Sequence, residues 1–397
     1  MSLMNKEDKP IQDILREKIL EEYNDIAETN QDLEILNNIS YRKDKINVIS
    51  LFSGCGGMDL GLLLSGIKEL DHLEFDHPIF KEKSIFDSII NTSIYNINYS
   101  NDMFKEANES YIKNMPATFV KDSRDIRSIK YFPKSDLIIG GFPCPGFSEA
   151  GPRLIDDERN FLYIHFIRCI TQSKPAIFVA ENVKGMLSLG QGEVIKQITQ
   201  DFAAAGYRVD YKLLNARDYG VPQYRQRVFI VGIRNDIKFK YAYPNPTHGE
   251  NDALMNRVTL KDAIYDLNPE PGPYFEGSFS SIYMSRNRKK EWEDQSFTIQ
   301  ASGRQAPLHP SGDKMVKLGP DKWSLPGDLD NHRRLSVKEI KRIQTFPDWY
   351  YISPGNNNVN LNSQLNRQYT QIGNAVPVIL AKKVFMPITE FFTESGL

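Results

Sequence analysis

Short apolar runs that recur between helix-like segments constrain the fold of this chain most strongly. INVISLF, SDLIIGG, PAIFVAENV and RQRVFIVGIR each have the length and composition of a buried strand, and helical patterns such as NFLYIHFIRCITQS lie between them. Strands that alternate with helices predict an α/β fold with a doubly wound, mostly parallel sheet. Ligands of such sheets bind at the carboxyl ends of the strands, so polar residues at those ends are the candidates for function.

The pattern divides the 397 residues into four parts. Residues 1–45 are rich in charge and carry apolar residues at near-helical spacing, which predicts an amphipathic helix that docks on the main body. Residues 46–240 hold the alternating strands and helices. Residues 241–331 lose this periodicity and are rich in Pro, Gly, Asn and Ser, which indicates a smaller, loop-rich domain. Residues 332–397 regain helical patterns.

Composition excludes several classes of protein. The chain has 40% hydrophobic and 25% charged residues, no apolar run long enough to span a membrane, and no apolar core of a signal peptide near its start. Its three cysteines, Cys55, Cys144 and Cys169, are odd in number and form no C-x-x-C pair. The sequence therefore predicts neither a disulfide framework nor a structural zinc site, and it fits a protein of the reducing cytoplasm.

Two glycine-rich loops follow predicted strands. In GGFPCPGFSEAG, prolines on both sides of Cys144 fix the backbone, so the loop is built to aim a thiol. In SGCGGMDLG, glycines permit the close approach of a ligand, but Asp59 stands where a dinucleotide fingerprint needs its third glycine, so the loop matches NAD poorly. Acids stand at the ends of three further predicted strands: Asp102, Asp125 and Glu181.

Each of these features taken alone has a plain structural interpretation. Cys144 would be an inert loop thiol and Glu181 a helix cap beside Asn182, while Arg225 and Arg227 would form the exposed face of a strand. Likewise, the basic runs RNRKK and HRR would be solvated surface, because a net charge of −2 neither demands nor excludes a polyanionic partner. Only the combination of features separates these interpretations from a functional one.

Six motifs in a fixed order supply that combination: SLFSGCGGMDLG, GGFPCPGFS, ENVKGM, YGVPQYRQR, RRLSVKEIKRIQTFPD and QIGNAVP. With them the chain resembles the DNA (cytosine-5)-methyltransferases, over roughly residues 46–390, and among these the bacterial restriction-modification type. The resemblance implies a Rossmann-like, S-adenosylmethionine-dependent methyltransferase fold with residues 46–240 as catalytic and cofactor-binding domain. Residues 241–331 would be the target-recognition domain, and the helices of 332–397 would return to the catalytic domain.

The resemblance also implies a covalent mechanism. The thiolate of Cys144 would attack C6 of cytosine, Glu181 would contact N3 and deliver a proton, and Arg227 would hold the O2 oxygen. The enamine so formed would take a methyl group at C5 from S-adenosylmethionine, leaving S-adenosylhomocysteine, with no metal involved. Such catalysis divides one difficult substitution into several feasible steps.

By the same resemblance, a further set of residues would bind the cofactor: Phe52, Ser53, Gly54, Cys55, Gly56, Gly57, Asp102, Met103, Asp125, Ile126, Pro143, Leu162, Asn374 and Val376. Five residues are candidates for contacts with DNA: Ser148, Arg153, Arg225, Arg286 and Arg304. The chain departs from the family at Pro145, where many members have glutamine, and this removes one local contact rather than the activity.

The expected partner is double-stranded DNA, bound by a monomer that flips the target cytosine out of the helix. A cognate restriction endonuclease would be a functional partner, although an orphan enzyme is equally compatible. Two alternatives remain: a cytosine-5 methyltransferase of transfer RNA, and a non-catalytic DNA-binding regulator with the same fold. The sequence does not reveal which bases are recognised.

Overall fold

A seven-stranded sheet forms the centre of the protein. The structure is a computed structural model that describes residues 11–116, 119–143 and 161–395. The strands of the sheet are β1 (Ile46–Leu51), β2 (Tyr95–Asn101), β3 (Val120–Asp122), β4 (Leu137–Gly140), β5 (Ile177–Val183), β6 (Tyr207–Asn215) and β7 (Gln226–Arg234). The four apolar runs singled out in the sequence form β1, β4, β5 and β7, which confirms the predicted strands.

The strand order is β3-β2-β1-β4-β5-β7-β6. The first five strands of this order are parallel, while β7 is antiparallel to both of its neighbours. The sheet is therefore mostly parallel and doubly wound, as predicted. Because the chain runs outward from β1 to β3 and then returns to continue from β4, the order reverses between β1 and β4, where such folds bind ligands.

Helices cover both faces of the sheet. They are α1 (Ile11–Asp25), α2 (Asn30–Asn37), α3 (Gly57–Ser65), α4 (Lys83–Ile89), α5 (Lys105–Asn114), α6 (Phe161–Ser173), α7 (Glu193–Ala204), α8 (Leu260–Ile264), α9 (Val337–Ile343), α10 (Leu361–Asn374) and α11 (Val378–Ser395). Successive strand residues point to opposite faces, so Val48 joins the core beneath α3 and α11, whereas Ile49 joins the core beneath α6 and α7.

The predicted amphipathic helix of the N-terminal part is α1. It packs against α7, with Leu15 buried in the same core as α6. The second helix, α2, was not predicted, although Thr29 and Asp32 form a reciprocal capping box at its start. Spacing of this kind, with a hydroxyl residue three positions before an acid, was the signal that the sequence offered.

Residues 241–331 contain few regular elements. They contain α8, a two-residue pairing of β8 (His248–Gly249) with β9 (Met255–Asn256), and a hairpin of β10 (Val316–Gly319) with β11 (Lys322–Ser324). A small cluster around Tyr283, Leu308, Met315 and Leu325 forms their own core. The exact limits of the four predicted parts stay a prediction.

The C-terminal helices return to the main sheet. The last helix, α11, runs to Ser395, and the helix before it, α10, was not predicted individually. Both pack on α3, α5 or α9, so they complete one wall of the ligand-binding edge. Among the described helices, none is both long and apolar enough to cross a bilayer.

Candidate active site

A cavity of about 420 Å³ lies at the carboxyl ends of β1, β2, β4 and β5. Its walls come from the glycine loop after β1, the acid after β2, the turn after β3, the start of the loop after β4, and the segment between α10 and α11. The cavity therefore occupies the place where the strand order reverses, as the physics of parallel sheets leads one to expect.

The glycine loop is held in a strained conformation. Phe52, Gly54 and Gly56 all have positive φ, of 52°, 53° and 88°. For a residue with a side chain, such as Phe52, this conformation costs about 1–3 kcal/mol and is found mainly at functional sites. A side chain on Gly57 would put its Cβ 2.5 Å from the carbonyl oxygen of Val376, so glycine lets the C-terminal segment close the cavity.

Asp102 is fixed at the end of β2 by two backbone groups. One carboxylate oxygen accepts from the N–H of Gly54 and the other from the N–H of Phe104, both at 2.8 Å. Each oxygen has further lone pairs, and the carboxylate lines the cavity. This arrangement presents an oriented acceptor to hydroxyl groups such as those of a ribose.

The turn after β3 supplies a flat apolar wall and a second acid. Ile126 is buried and lines the cavity together with Leu162. The carboxylate of Asp125 pairs with the exposed guanidinium of Arg127, and hydrogen bonds from Arg127 lower the pKa of Asp125 although partial burial opposes them. An apolar wall with an ionised acid at its edge suits a purine ring that carries an amino group.

Glu181 and Arg227 face each other at the far end of the cavity. Glu181 lies in the buried part of β5, and Arg227 lies beside it on β7, with its Nε atom 2.9 Å from Oε1 of Glu181. The contact is an ion pair without the alignment of a hydrogen bond, because Oε1 has no hydrogen-bond partner among the described residues. The carboxyl is thus buried in the cavity wall with a guanidinium directly against one of its oxygens.

Burial dominates the electrostatics of this pair. It raises the pKa of Glu181, although the charges of Arg227 and Arg225 oppose the shift. It also lowers the pKa of Arg227, which the charge of Glu181 opposes. A carboxyl whose pKa is raised retains a proton to higher pH, and this is what a general acid near neutrality requires.

The loop that carries Cys144 begins beside Glu181. The side-chain amide of Asn182 donates to the carbonyl oxygen of Phe142 at 2.9 Å, which anchors the first residues of the loop. A Cβ on Gly141 would lie 3.1 Å from Oε2 of Glu181, so the backbone there passes close to the carboxyl. Three predicted site residues in this loop lie outside the described residues: Cys144, Ser148 and Arg153.

Comparison with known proteins identifies the class of this site. The family model described as C-5 cytosine-specific DNA methylase matches residues 46–390. The type II methyltransferase M.BsuRI of Bacillus subtilis is 60% identical over 96% of this chain and 88% of its own length, and M.BspRI of Lysinibacillus sphaericus is 58% identical over 97% and 91%. The chain belongs to the C-5 cytosine-specific DNA methylases.

Solved structures agree with this family at the level of the fold. The DNMT2 of Spodoptera frugiperda has a TM-score of 0.56 at 17% identity, over 87% of this chain and 99% of its own. The methyltransferase EhMeth of Entamoeba histolytica has a TM-score of 0.55 at 17% identity, over 88% and 99%. At such identities the likeness concerns the arrangement of strands and helices alone.

Most residues predicted to hold the cofactor of this DNA methylase line the one cavity. They are Phe52, Ser53, Gly54, Gly57, Asp102, Met103, Asp125, Ile126, Pro143, Leu162, Asn374 and Val376, and Glu181 and Arg227 line it as well. The other two, Cys55 and Gly56, belong to the same glycine loop but are buried and are not among the residues that line the cavity. The thiol of Cys55 faces the carbonyl oxygen of Gln371, and burial raises its pKa to about 12, so it is an inert packing group.

The predicted contact between Arg225 and DNA does not agree with the structure. Arg225 is fully buried, and it donates to the carbonyl oxygens of Ile299, Gly373 and Ala375 at 3.0, 2.7 and 3.0 Å. A guanidinium with these partners supports the C-terminal wall of the cavity and has no face open to a duplex. Its position just before β7, two residues from Arg227, gave no sign of this.

The basic runs of the sequence are also less exposed than expected. In RNRKK, Arg286 is exposed, whereas Arg288 and Lys289 are buried and donate to side-chain and backbone oxygens around Tyr283 and Asp313. Arg304 is exposed. The predicted DNA contacts of the two exposed arginines stay predictions.

A buried charge network beneath the glycine loop was missed by the sequence analysis. The ammonium group of Lys121 donates to the hydroxyl oxygens of Ser53 and Ser100 at 2.8 and 2.9 Å, and burial lowers its pKa to about 8. Beside it, the hydroxyl of Tyr111 donates to Asp59 at 2.7 Å. The signal was a lysine inside a short strand, where an unpaired charge would be costly.

No group of His, Cys, Asp or Glu in the described part of the chain is placed to hold a metal ion. The site instead consists of oriented carboxylates, a strained backbone and a buried acid–arginine pair. These are the groups that bind and orient organic ligands.

Proposed function

We propose that the cavity holds S-adenosylmethionine and later S-adenosylhomocysteine. The fit rests on the acceptor geometry of Asp102 for the ribose hydroxyls and on the apolar wall of Ile126 beside Asp125 for the adenine. The strained glycine loop at Phe52, Ser53 and Gly54 lines the cavity beside them and would hold the methionine end. When bound, the cofactor supplies the methyl group that C5 of the cytosine receives.

The chain's own residues carry the remaining chemistry. The thiolate of Cys144 forms a bond to C6 of a flipped cytosine while Glu181 donates a proton to N3. The guanidinium of Arg227 holds O2 and stabilises the charge that develops as the ring loses aromaticity. After C5 is methylated, a base removes its proton, the bond between sulfur and C6 breaks, and the thiolate is regenerated.

The single observation that carries this proposal is the pairing of Glu181 with Arg227 inside the cavity that Asp102 also lines. A carboxyl that lines the cavity and whose pKa is raised by burial suits recognition of a ring nitrogen. The attacking sulfur must be a thiolate, whereas a free thiol has a pKa of roughly 8.5. A guanidinium such as that of Arg227 would favour the charged form once the thiol is brought to the base.

We further propose that the substrate is duplex DNA, bound by a monomer in the cytoplasm. Residues 241–331 would read the target sequence, with Arg286 and Arg304 as candidates for phosphate or guanine contacts. Phosphate contacts offset the cost of flipping the base, so binding should weaken steeply with salt. The relatives named above are type II methyltransferases, and we propose the same role here, beside a cognate restriction endonuclease.

A transfer assay tests the proposal directly. Purified protein is incubated with S-adenosylmethionine that carries a tritiated methyl group, and with duplex DNA or transfer RNA as acceptor. We expect label in DNA alone, at cytosines that bisulfite sequencing of a plasmid from expressing cells identifies. Label in transfer RNA alone would replace this proposal by the RNA alternative. Absence of transfer to either, with DNA binding intact, would favour a non-catalytic regulator.

A further inference from the structure

The N-terminal arm, residues 11–45, lies outside the part of the chain that matches the family model. It consists of α1, α2 and the segment that leads to β1. The polar contacts of its residues 23–32 with the rest of the protein are concentrated on one stretch, the adenine turn, which we define as residues 122–131. This turn contains Asp125 and Ile126, the proposed adenine wall.

The first contact is a buried ion cluster. Asp32 of α2 is fully buried, and one of its oxygens accepts from Nη1 of Arg124 at 2.9 Å. The same guanidinium donates Nε and Nη2 to the buried carboxylate of Asp122. Thr29 and Arg124 hold the pKa of Asp32 below its usual value although burial opposes them, so the carboxylate is charged. The arm thus supplies one of the two carboxylates that bind the guanidinium of Arg124.

The second contact is at the other end of the adenine turn. The ammonium group of Lys130 donates to the carbonyl oxygens of Tyr23 and Ile26 at 2.7 and 2.6 Å. It also lies over the ring of Tyr23 in a cation–π contact. The next residue, Tyr131, donates its hydroxyl to Glu28. The arm therefore binds the adenine turn on both sides of the adenine wall, at Arg124 and at Lys130.

The residues of the adenine turn that the arm contacts are hydrogen-bonded to residues at the cavity. The side-chain amide of Asn101, which lines the cavity, donates to the carbonyl oxygens of Asp122 and Arg124 at 3.0 and 2.9 Å. Asn101 precedes Asp102, the proposed ribose acceptor. Behind the wall, the buried guanidinium of Arg168 donates to the carbonyl oxygen of Ile126 at 3.1 Å. Displacement of Arg124 would therefore move both the adenine and the ribose contacts.

We propose that the N-terminal arm is a positioning element for cofactor binding, which acts through the contact of Asp32 with Arg124. The inference rests on the proposed function, because it assumes that the cavity binds S-adenosylmethionine. It differs from simple docking, in which the arm would only cover apolar surface and its loss would lower stability alone. Asp32 touches no ligand and is a positioning residue, not a catalytic one.

The test uses the full-length chain with Asp32→Asn, which keeps the shape of the side chain and removes its charge. Glu34→Gln is the matched control, because Glu34 is exposed on the same helix. The dissociation constant of S-adenosylhomocysteine is measured by calorimetry, and kcat and the KM values for cofactor and DNA by methyl transfer. Lys130→Met, which removes the hydrogen bonds from Lys130 to Tyr23 and Ile26, is measured in parallel in case the first variant does not fold.

We expect the Asp32 variant to raise the cofactor dissociation constant at least about fivefold, the lower end of usual coupling between sites. The KM for DNA and kcat at saturating cofactor should stay unchanged, and the control should equal wild type. A lower melting temperature with unchanged cofactor affinity would overturn the inference, as would an equal rise in both KM values. Wild-type protein that binds no S-adenosylhomocysteine would instead refute the proposed function itself.

Discussion

Replacement of Arg225 by alanine separates the buried position of this residue from the DNA contact predicted from the sequence. The variant would leave the carbonyl oxygens of Ile299, Gly373 and Ala375 without their common donor. Two of these carbonyls flank Asn374, which lines the cofactor cavity. The perturbation should therefore affect stability and cofactor binding together.

The size of the effect follows from these three bonds. Hydrogen bonds from a charged donor contribute about 1.5–3 kcal/mol each. The three bonds here come from one buried guanidinium, so their free energies are not additive. Loss of one partner from a buried charged arrangement costs about 3–5 kcal/mol, and we expect Arg225→Ala to lower the free energy of unfolding by this amount. Arg225→Lys keeps the charge but reaches fewer carbonyls, so its loss should be intermediate.

Two measurements are needed on the same variants. Denaturant unfolding at fixed pH gives the free energy, and fluorescence anisotropy with labelled duplex at several salt concentrations gives the DNA affinity and its salt slope. A residue that contacts one phosphate contributes about 0.9 to that slope. Arg286→Ala is the control, because Arg286 is exposed and its loss should leave stability within about 0.5 kcal/mol.

For Arg225→Ala we expect a large loss of stability and an unchanged salt slope. The opposite result, native stability with a slope reduced by about 0.9, would refute the reasoning. It would mean that Arg225 contacts DNA and that its three carbonyl partners contribute little.

Two further predictions concern buried carboxyls. Glu181→Gln cannot donate a proton, so methyl transfer should fall by about 10²–10⁴-fold while DNA binding with S-adenosylhomocysteine changes little; near-native turnover would contradict the proposed acid. Burial raises the pKa of Asp201 from 3.8 to about 6, so its contribution to stability is fully present below pH 3.8 and is lost as the pH rises through 6. Asp201→Asn should therefore gain about 2.5 kcal/mol relative to wild type between pH 4 and pH 7.5, measured by denaturant unfolding, and a gap independent of pH would disprove this.

The central sheet could be predicted because its strands are buried on both faces. Strands of this kind are continuous apolar runs, so INVISLF and PAIFVAENV revealed their type and approximate limits. The direction of β7 could not be read in the same way. The direction follows from the position of β7 between β5 and β6. The apolar run of one strand does not indicate which strands it will pair with.

Helix α10 shows how a polar helix escapes notice. Its apolar residues Leu365, Tyr369 and Ile372 recur at helical spacing, and Asn360 caps its start. The remaining positions are mostly polar, and the motif QIGNAVP overlaps the end of the helix, so the helical periodicity is weak beside the motif. The spacing itself was sufficient to predict the helix.

Buried cations were the main limit of the sequence analysis. Arg225, Arg288 and Arg334 all stand in sequences that look like exposed charge, yet each is buried. Their partners are mainly backbone carbonyl oxygens of segments distant in sequence, as between Arg225 and Gly373. Because every residue carries a carbonyl group, no residue type marks such a partner. The residues of the candidate site were easier to predict, because many of them lie at or just after the ends of predicted strands.

Covalent trapping tests the central claim most directly. Duplex DNA with 5-fluorocytosine at the identified target position is incubated with the protein and S-adenosylmethionine, and the adduct is mapped by peptide mass spectrometry. Fluorine at C5 cannot leave as a proton does, so the account predicts a stable bond between the methylated base and Cys144. Cys55 and Cys169 are internal controls, because burial raises the pKa of each thiol to about 12. An adduct on either of them, or methylation of ordinary duplex with no adduct on the fluorinated one, would contradict the account.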